Sequence, residues 1–515
     1  MLSEAKVRYN YCMLRISHVW KNPVLWLGLL TVLYFALRFT NLTSLPIFTD
    51  EAIYIRWSQI GANDASWRFI SLTDGKQPLF TWFMMAALRV IQDPLIAGRV
   101  VSVASGFFGM IGMFALGYEV FRSKRIGLIA SFLYVVSPFA LMYDRLAIYD
   151  SWVSTLSIWN LYMAILFVRN VRLDIALIFG MTLGVGMLNK TSAFFSLYLL
   201  PFTLILFDWK SKKLKSRLVQ WFGFAIISAI LSQIIYSVLR LSPYFYIIAQ
   251  KNTIFIYPFK EWVTHPFTFF IGNLHGEFDW LIHYLTIPWC VLIVLSFLFL
   301  RKQTLEKVVL VLWWLLPFTA LALFGKVLYP RFILFMVMPL ILLVAVAIHG
   351  LTAKIKEYYL QILVVLVCCF QTIWITGKIL TDIKTAPIPK SEIGQLVGDW
   401  PSGWGVNEIV KELETRSTLE KIAVYTEGTF GLLPYALEIY LHKNKNIEIH
   451  GVWPPSKTLP TDIREKSLTV PTYYITNLTQ EKPEWPMDKI LEVQKGQNSQ
   501  SHIRLYKIQS ETPSH

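Results

Sequence analysis

Apolar stretches of about 15–21 residues recur at roughly 24–40, 98–118, 126–142, 152–168, 174–189 and 194–208, then at 219–238, 282–300, 308–324, 332–349 and 359–376. Each is close to the ~20 residues that a helix needs to cross a hydrocarbon core. Short polar loops separate them, so the pattern predicts an α-helical polytopic membrane protein. One further stretch, 78–91 (PLFTWFMMAALRVI), is about fourteen residues long and better suits an interfacial or re-entrant helix. After 376 the pattern shortens. Strand-like runs at 421–426, 447–452, 472–476 and 502–508, with a helix-like run at 432–442, predict a small α/β domain. The chain thus divides into a multi-span body, 1–376, and a tail domain, 377–515.

The distribution of basic residues sets the topology. If 78–91 does not cross and the N-terminus is cytoplasmic, the loops at 119–125 (EVFRSKR), 169–172 (RNVR), 208–217 (DWKSKKLKSR), 301–307 (RKQTLEK) and 350–358 all face inward. These are the basic loops. If 78–91 crossed, they would face outward, so eleven spans with an external tail is the expected arrangement. The basic N-terminus (Lys6, Arg8, Arg15, Lys21) precedes the first apolar run with no small-residue cleavage site after it, which reads as an uncleaved signal anchor.

Composition agrees. The chain has 515 residues, 55% hydrophobic and only 16% charged, against about 25% charged in an average soluble domain. The net charge of +15 would suit nucleic-acid binding, but the basic residues lie in short loops between apolar runs, where anionic lipid headgroups attract them. No nucleic-acid partner is expected. The cysteines Cys12, Cys290, Cys368 and Cys369 form no disulfide framework or zinc spacing. Two N-x-T sequons, at Asn41 and Asn477, fall on the predicted outer face.

The candidate chemistry lies in the outer loops. Asp50 and Glu51 follow the first span directly; the pair reads as a general base or metal ligand facing a lipid-borne substrate, or as the N-cap of a helix continuing through 53–57. Lys76, before Pro78, reads as a phosphate ligand or a snorkelling interfacial lysine. The third loop packs Asp144, Arg145 and Asp150 into seven residues, with a solvated N-cap as the plain alternative for Asp150. Lys190, and the pair Lys326 and Arg331 around Tyr329, place cations on the face that the positive-inside bias would leave poor in them. Arginine offers a planar fork for phosphate oxygens and lysine a point charge, so these groups suit the charge that develops on a leaving phosphate. His265, His275, Glu277 and Asp279 read as a solvated loop and not as a zinc site. Carboxylates and cations together fit transfer of a group from an anionic lipid carrier to a hydroxyl or amine acceptor.

In order along the chain stand F-T-D-E-A at 48–52, K-Q-P-L-F-T-W at 76–82, R-L-A-I-Y-D at 145–150, G-V-G-M-L-N-K at 184–190 and K-V-L-Y-P-R at 326–331. Over about the first 350 residues the chain resembles the family-39 glycosyltransferases of the GT-C superfamily, which includes protein O-mannosyltransferases and the aminoarabinose transferase acting on lipid A. The tail, with D-W-P-S-G-W-G at 399–405, is similar to the external domain of bacterial members. The resemblance implies a GT-C fold in the plasma membrane with its active site and tail domain outside. It implies inverting transfer of a sugar from a polyprenyl-phosphate donor to a glycolipid, protein or cell-envelope glycan. It makes Asp50 the catalytic base, Glu51 its companion and Asp150 the second acid. Lys76, Lys190 and Arg331 are expected near the donor phosphate, with Arg145, Lys326 and Tyr329 grouped beside them. Gln77 departs from the family, where many bacterial members carry proline. Members differ in metal use, and no metal or other cofactor is expected here. The competing reading is a multi-span transporter or lipid-linked-sugar flippase. It would place charges at mid-membrane, whereas here they gather at span ends.

Overall fold

The computed structural model describes residues 22–477, 482–496 and 500–509. Cys12 and the basic N-terminal residues Lys6, Arg8, Arg15 and Lys21 lie outside them. Among the described residues seven helices are long and apolar enough to cross a membrane: Pro94–Phe121, Asp150–Asn170, Leu214–Leu241, Phe270–Leu298, Arg301–Phe324, Pro330–Thr352 and Tyr358–Thr381. Lys124–Val136 and Pro138–Asp144 make an eighth as a pair bent by 61°. Ser137 and Pro138 cause the bend: the serine side chain accepts from Ala140 N, and proline opens the second helix where its missing N–H is not needed. Three shorter apolar helices, Pro23–Phe39, Leu173–Asn189 and Thr191–Leu206, account for the remaining predicted runs.

The stretch at 78–91 folds as helix Leu79–Ala87, nine residues. At 1.5 Å per residue it is about 13 Å long, less than half a hydrocarbon core. The region before 282 departs from expectation. The helix begins at Phe270, because Phe270, Leu274, Phe278 and Leu281 recur at helical spacing, and Glu277 is fully buried on it. The solvated-loop reading therefore fails for Glu277.

Loops sort into two ends. At one, Arg169 pairs with Glu119 (3.0 Å) and Glu306 (3.2 Å), while Arg217 donates to the Arg169 carbonyl. Arg125 there donates to Thr352 Oγ1. At the other end lie the first outer loop, 145–150, 190–193 and 325–331, with the tail. The partition matches the one expected from the basic residues.

Helix Leu334–Thr352 is apolar on every side, and such a helix has no face to give to water. It occupies the centre, with 89% of its apolar window buried. Its outer end begins at the turn Pro330–Ile333, so burial of the helix fixes where Arg331 stands. A second anchor is the pair Arg38–Asp144 (3.1 Å), fully buried, with Tyr34, Tyr134 and Ser151 hydroxyls also donating to the carboxylate. Gly106 makes room for it: a Cβ there would lie 2.3 Å from both the Asp144 carboxylate and the Tyr34 hydroxyl.

The tail carries a five-stranded sheet: β1 Ile422–Glu427, β2 Ile447–Val452, β3 Thr472–Thr476, β4 Met487–Gln494 and β5 His502–Ile508. Its order is β2-β1-β3-β5-β4, with β1 parallel to β2 and β3, and β5 antiparallel to β3 and β4. Every residue of β1 is buried, as expected of a parallel strand covered on both faces. Strand β4 is additional to the predicted set. The tail docks on the first outer loop through Arg56–Glu438 (2.6 Å) and a bond from Gln59 Nε2 to the Ile439 carbonyl. Asn477 is buried within the tail, its side-chain amide donating to the Trp400 carbonyl, so the folded domain does not offer that side chain for modification.

A reporter fused after Lys124 is expected to read as cytoplasmic, and one fused after Thr381 as external. The reverse pair of signals would invert the topology.

Candidate active site

Asp50 lies in the first turn of helix Thr49–Asn63, which starts just after the first membrane helix. Successive residues on a helix point about 100° apart, so Asp50 and Glu51 cannot share an environment. They do not. Asp50 keeps 25% of its side chain open and meets the Arg331 guanidinium at 2.9 Å. Glu51 is fully buried and faces inward, where Arg99 Nε and Nη2 donate to its two oxygens at 2.8 Å each. The backbone N–H groups of Phe48 and Ala147 donate to it as well. Glu51 therefore has no open face for a substrate, and its place beside Asp50 is that of an anchor.

Arg331 stands among rings: its guanidinium lies 4.5 Å from the Tyr329 centroid, 5.6 Å from Phe48 and 5.9 Å from Phe332. Asp150 opens helix Asp150–Asn170, where the helix dipole favours an anion, and it binds Lys190 Nζ at 2.6 Å. Lys190 also lies over Phe332, 4.8 Å from its centroid, which brings the second ion pair next to the first. Lys76 sits over the Phe255 ring at 5.0 Å and forms no ion pair among the described residues. Removal from water pushes its ammonium down to about 8; nearby Asp50 opposes the fall and Lys190 adds to it. Tyr54 lies within the field of Asp50, Asp150 and Arg331, and its phenol is held well above its ordinary value, chiefly by burial. Asp50, Asp150, Lys76, Lys190 and Arg331, with Tyr329 stacked on the last, are thus brought together from five separate stretches of chain.

Two predicted residues fall elsewhere. Arg145 is buried and donates to the Thr40 and Asn41 carbonyls, capping the end of the first membrane helix beside Arg38 and Arg99. Its charge is used by backbone and does not reach Asp50. Lys326 is taken by Glu261 at 3.0 Å and covers the Tyr257 ring. The tail supplies what sequence reasoning missed. Glu392 is buried and accepts from the Tyr143 hydroxyl, and Gln395 accepts from Arg331 Nη1 at 3.2 Å. Burial pushes the Glu392 carboxyl up to about 7, against the opposing pull of the Tyr143 bond and Arg331. The polar run at 390–395 carries no pattern that ties it to a loop sixty residues earlier.

Residues 75–236 match the family model described as "Dolichyl-phosphate-mannose-protein mannosyltransferase", a span that holds Lys76, Asp150 and Lys190. In fold the chain is similar to ArnT from Cupriavidus metallidurans in the apo state, with TM-score 0.57 and 12% identity over 95% of this chain and 98% of that one. It is equally similar to ArnT bound to undecaprenyl phosphate, with TM-score 0.57 and 13% identity over 94% and 97%. The chain thus shares its fold with these structures over nearly its whole length, and about a third of it matches the mannosyltransferase model. Archaeal AglB from Archaeoglobus fulgidus, an oligosaccharyltransferase in complex with an inhibitory peptide and a dolichol-phosphate, shares the fold at TM-score 0.50 and 14% identity over 88% and 69%. No curated protein matches the chain in sequence. The transporter reading has no support from the family match or the fold.

Two outcomes test the candidate site. Arg99→Met leaves the Glu51 carboxylate buried and unpaired, which costs about 3–5 kcal/mol; the unfolding midpoint in detergent should fall sharply. Lys76 loses its proton above about pH 8, so donor KM should rise across that pH. Lys76→Arg keeps its charge and should move the rise to higher pH.

Proposed function

We propose that the protein is a glycosyltransferase that moves a sugar from a polyprenyl-phosphate donor to an acceptor on the extracytoplasmic side of the plasma membrane, with inversion at the anomeric carbon. The observation that carries this reading is the Asp50–Arg331 pair beside Lys190–Asp150 and Lys76, an open carboxylate among cations at one end of an apolar bundle. The solved relatives bound to undecaprenyl phosphate and to a dolichol-phosphate support the donor class.

In this mechanism the acceptor hydroxyl or amine attacks the anomeric carbon from the face opposite the phosphate. Asp50 takes its proton as the new bond forms. The bond from the anomeric carbon to the phosphate oxygen breaks, and its electron pair leaves on the phosphate. Lys76, Lys190 and Arg331 face that developing charge, with Tyr329 holding the guanidinium plane. Asp150 keeps Lys190 in place and supports the acceptor side. The acceptor is a glycolipid, a protein or a cell-envelope glycan, and no divalent ion is invoked.

Purified transferase given a series of polyprenyl-phosphate sugars is expected to release polyprenyl phosphate, with turnover unaffected by a chelator. Asp50→Asn should abolish release while donor binding persists. Release by Asp50→Asn at the wild-type rate would remove Asp50 as the base.

A further inference from the structure

The tail domain touches the candidate base where its helix begins. Phe48 pairs in an antiparallel bridge with Ser402, and the Pro401 carbonyl accepts from both Thr49 N (3.0 Å) and Thr49 Oγ1 (2.9 Å). The first amides of a helix have no partner within it and need one from outside. Here Glu51 takes the Phe48 amide and the tail takes the next. Asp50 is the following residue, so Pro401 caps the helix that carries it.

The contact is close and is held from behind. A Cβ on Gly403 would stand 2.0 Å from the Ile47 carbonyl oxygen, so only glycine lets the two strands approach. Lys495, fully buried, donates to the Ser402 carbonyl at 2.6 Å and to Asn477 Oδ1. Ser402 Oγ and Trp404 Nε1 both donate to the Leu396 carbonyl, which ties the loop to the segment bearing Glu392 and Gln395. Gln395 in turn accepts from Arg331, the partner of Asp50. One stretch of the tail, 392–403, therefore holds both members of the Asp50–Arg331 pair.

We infer that the tail domain is a positioning element of the active site: its 399–403 loop caps and orients the Asp50 helix, and transfer requires that loop to be seated on Phe48 and Thr49. Pro401, Gly403 and Lys495 act through Asp50 and touch no reacting atom. The inference rests on the reading of Asp50 as the base.

The test compares wild type, Gly403→Ala, Thr49→Val and Asp50→Asn in full-length protein, by turnover and by amide hydrogen exchange. Misplacing a reacting group by about 1 Å costs up to ~100-fold, so Gly403→Ala should lower kcat at least about ten-fold while donor KM stays within about two-fold. Exchange should quicken in peptides covering 47–53 and stay unchanged across the β1 strand, Ile422–Glu427. Thr49→Val, which removes one of the two bonds to Pro401 without touching the tail, should give the same split to a smaller degree. Unchanged kcat in both variants would overturn the inference. So would loss of kcat with exchange at 47–53 unaltered. If Gly403→Ala loosens the whole domain, Thr49→Val alone decides. Should exchange respond as expected while Asp50→Asn retains turnover, the cap stands and the assignment of the base fails.

Discussion

The end of the bundle that carries the candidate site is organised around the buried pair of Glu51 and Arg99. A carboxylate taken out of water carries a large desolvation penalty, offset only when its oxygens are well supplied with donors. Glu51 has four: Nε and Nη2 of Arg99 and the amides of Phe48 and Ala147. Arg99 spends its other protons on the carbonyls of Leu42, Leu45 and Pro46. One ion pair thereby joins the chain leaving the first membrane helix, the start of the Asp50 helix, helix Pro94–Phe121 and the loop before Asp150. It ties down the start of the helix that carries Asp50 and the loop that leads to Asp150.

From that anchor follows the division of labour between adjacent acids. Helical geometry turns Glu51 into the protein and Asp50 toward Arg331. The membrane imposes a second constraint. Charged side chains are costly in the hydrocarbon, so cations that serve chemistry collect where helices end. Arg331 precedes the most buried of the seven long apolar helices among the described residues, Lys190 follows helix Leu173–Asn189, and Asp150 opens its own. Packing the apolar helices brings these ends together, and the opposite end collects Arg169, Glu119 and Glu306.

Much of this is legible in the sequence. Each of the eleven apolar runs is helical over most of its length, with 126–142 broken into two helices at Ser137, because about twenty apolar residues have few other stable states in a bilayer. The non-spanning nature of 78–91 follows from its length. The parallel strands β1–β3 and strand β5 are visible as short β-branched and aromatic runs, whereas β4 (MDKILEVQ) carries three charges in eight residues and is hidden behind two prolines. Asp50, Asp150, Lys76, Lys190 and Arg331 stand out because charge in an outer loop has no topological use. The same argument also picked out Arg145 and Lys326, whose charges turn out to be spent on backbone carbonyls and on Glu261.

The sequence by itself determined what hydropathy and charge bias encode locally: which segments enter the bilayer, which loops share a side, and which loops carry chemistry. Only the tertiary structure decided which charges face one another. Glu51 is anchor and Asp50 is open because of the helical turn and Arg99, forty-eight residues away. From the tail, Gln395 reaches Arg331 across 64 residues of chain, Glu392 reaches Tyr143 across 249 and Pro401 reaches Thr49 across 352. Contacts of that separation depend on how helices and sheet pack as bodies, and no window along the chain contains both partners.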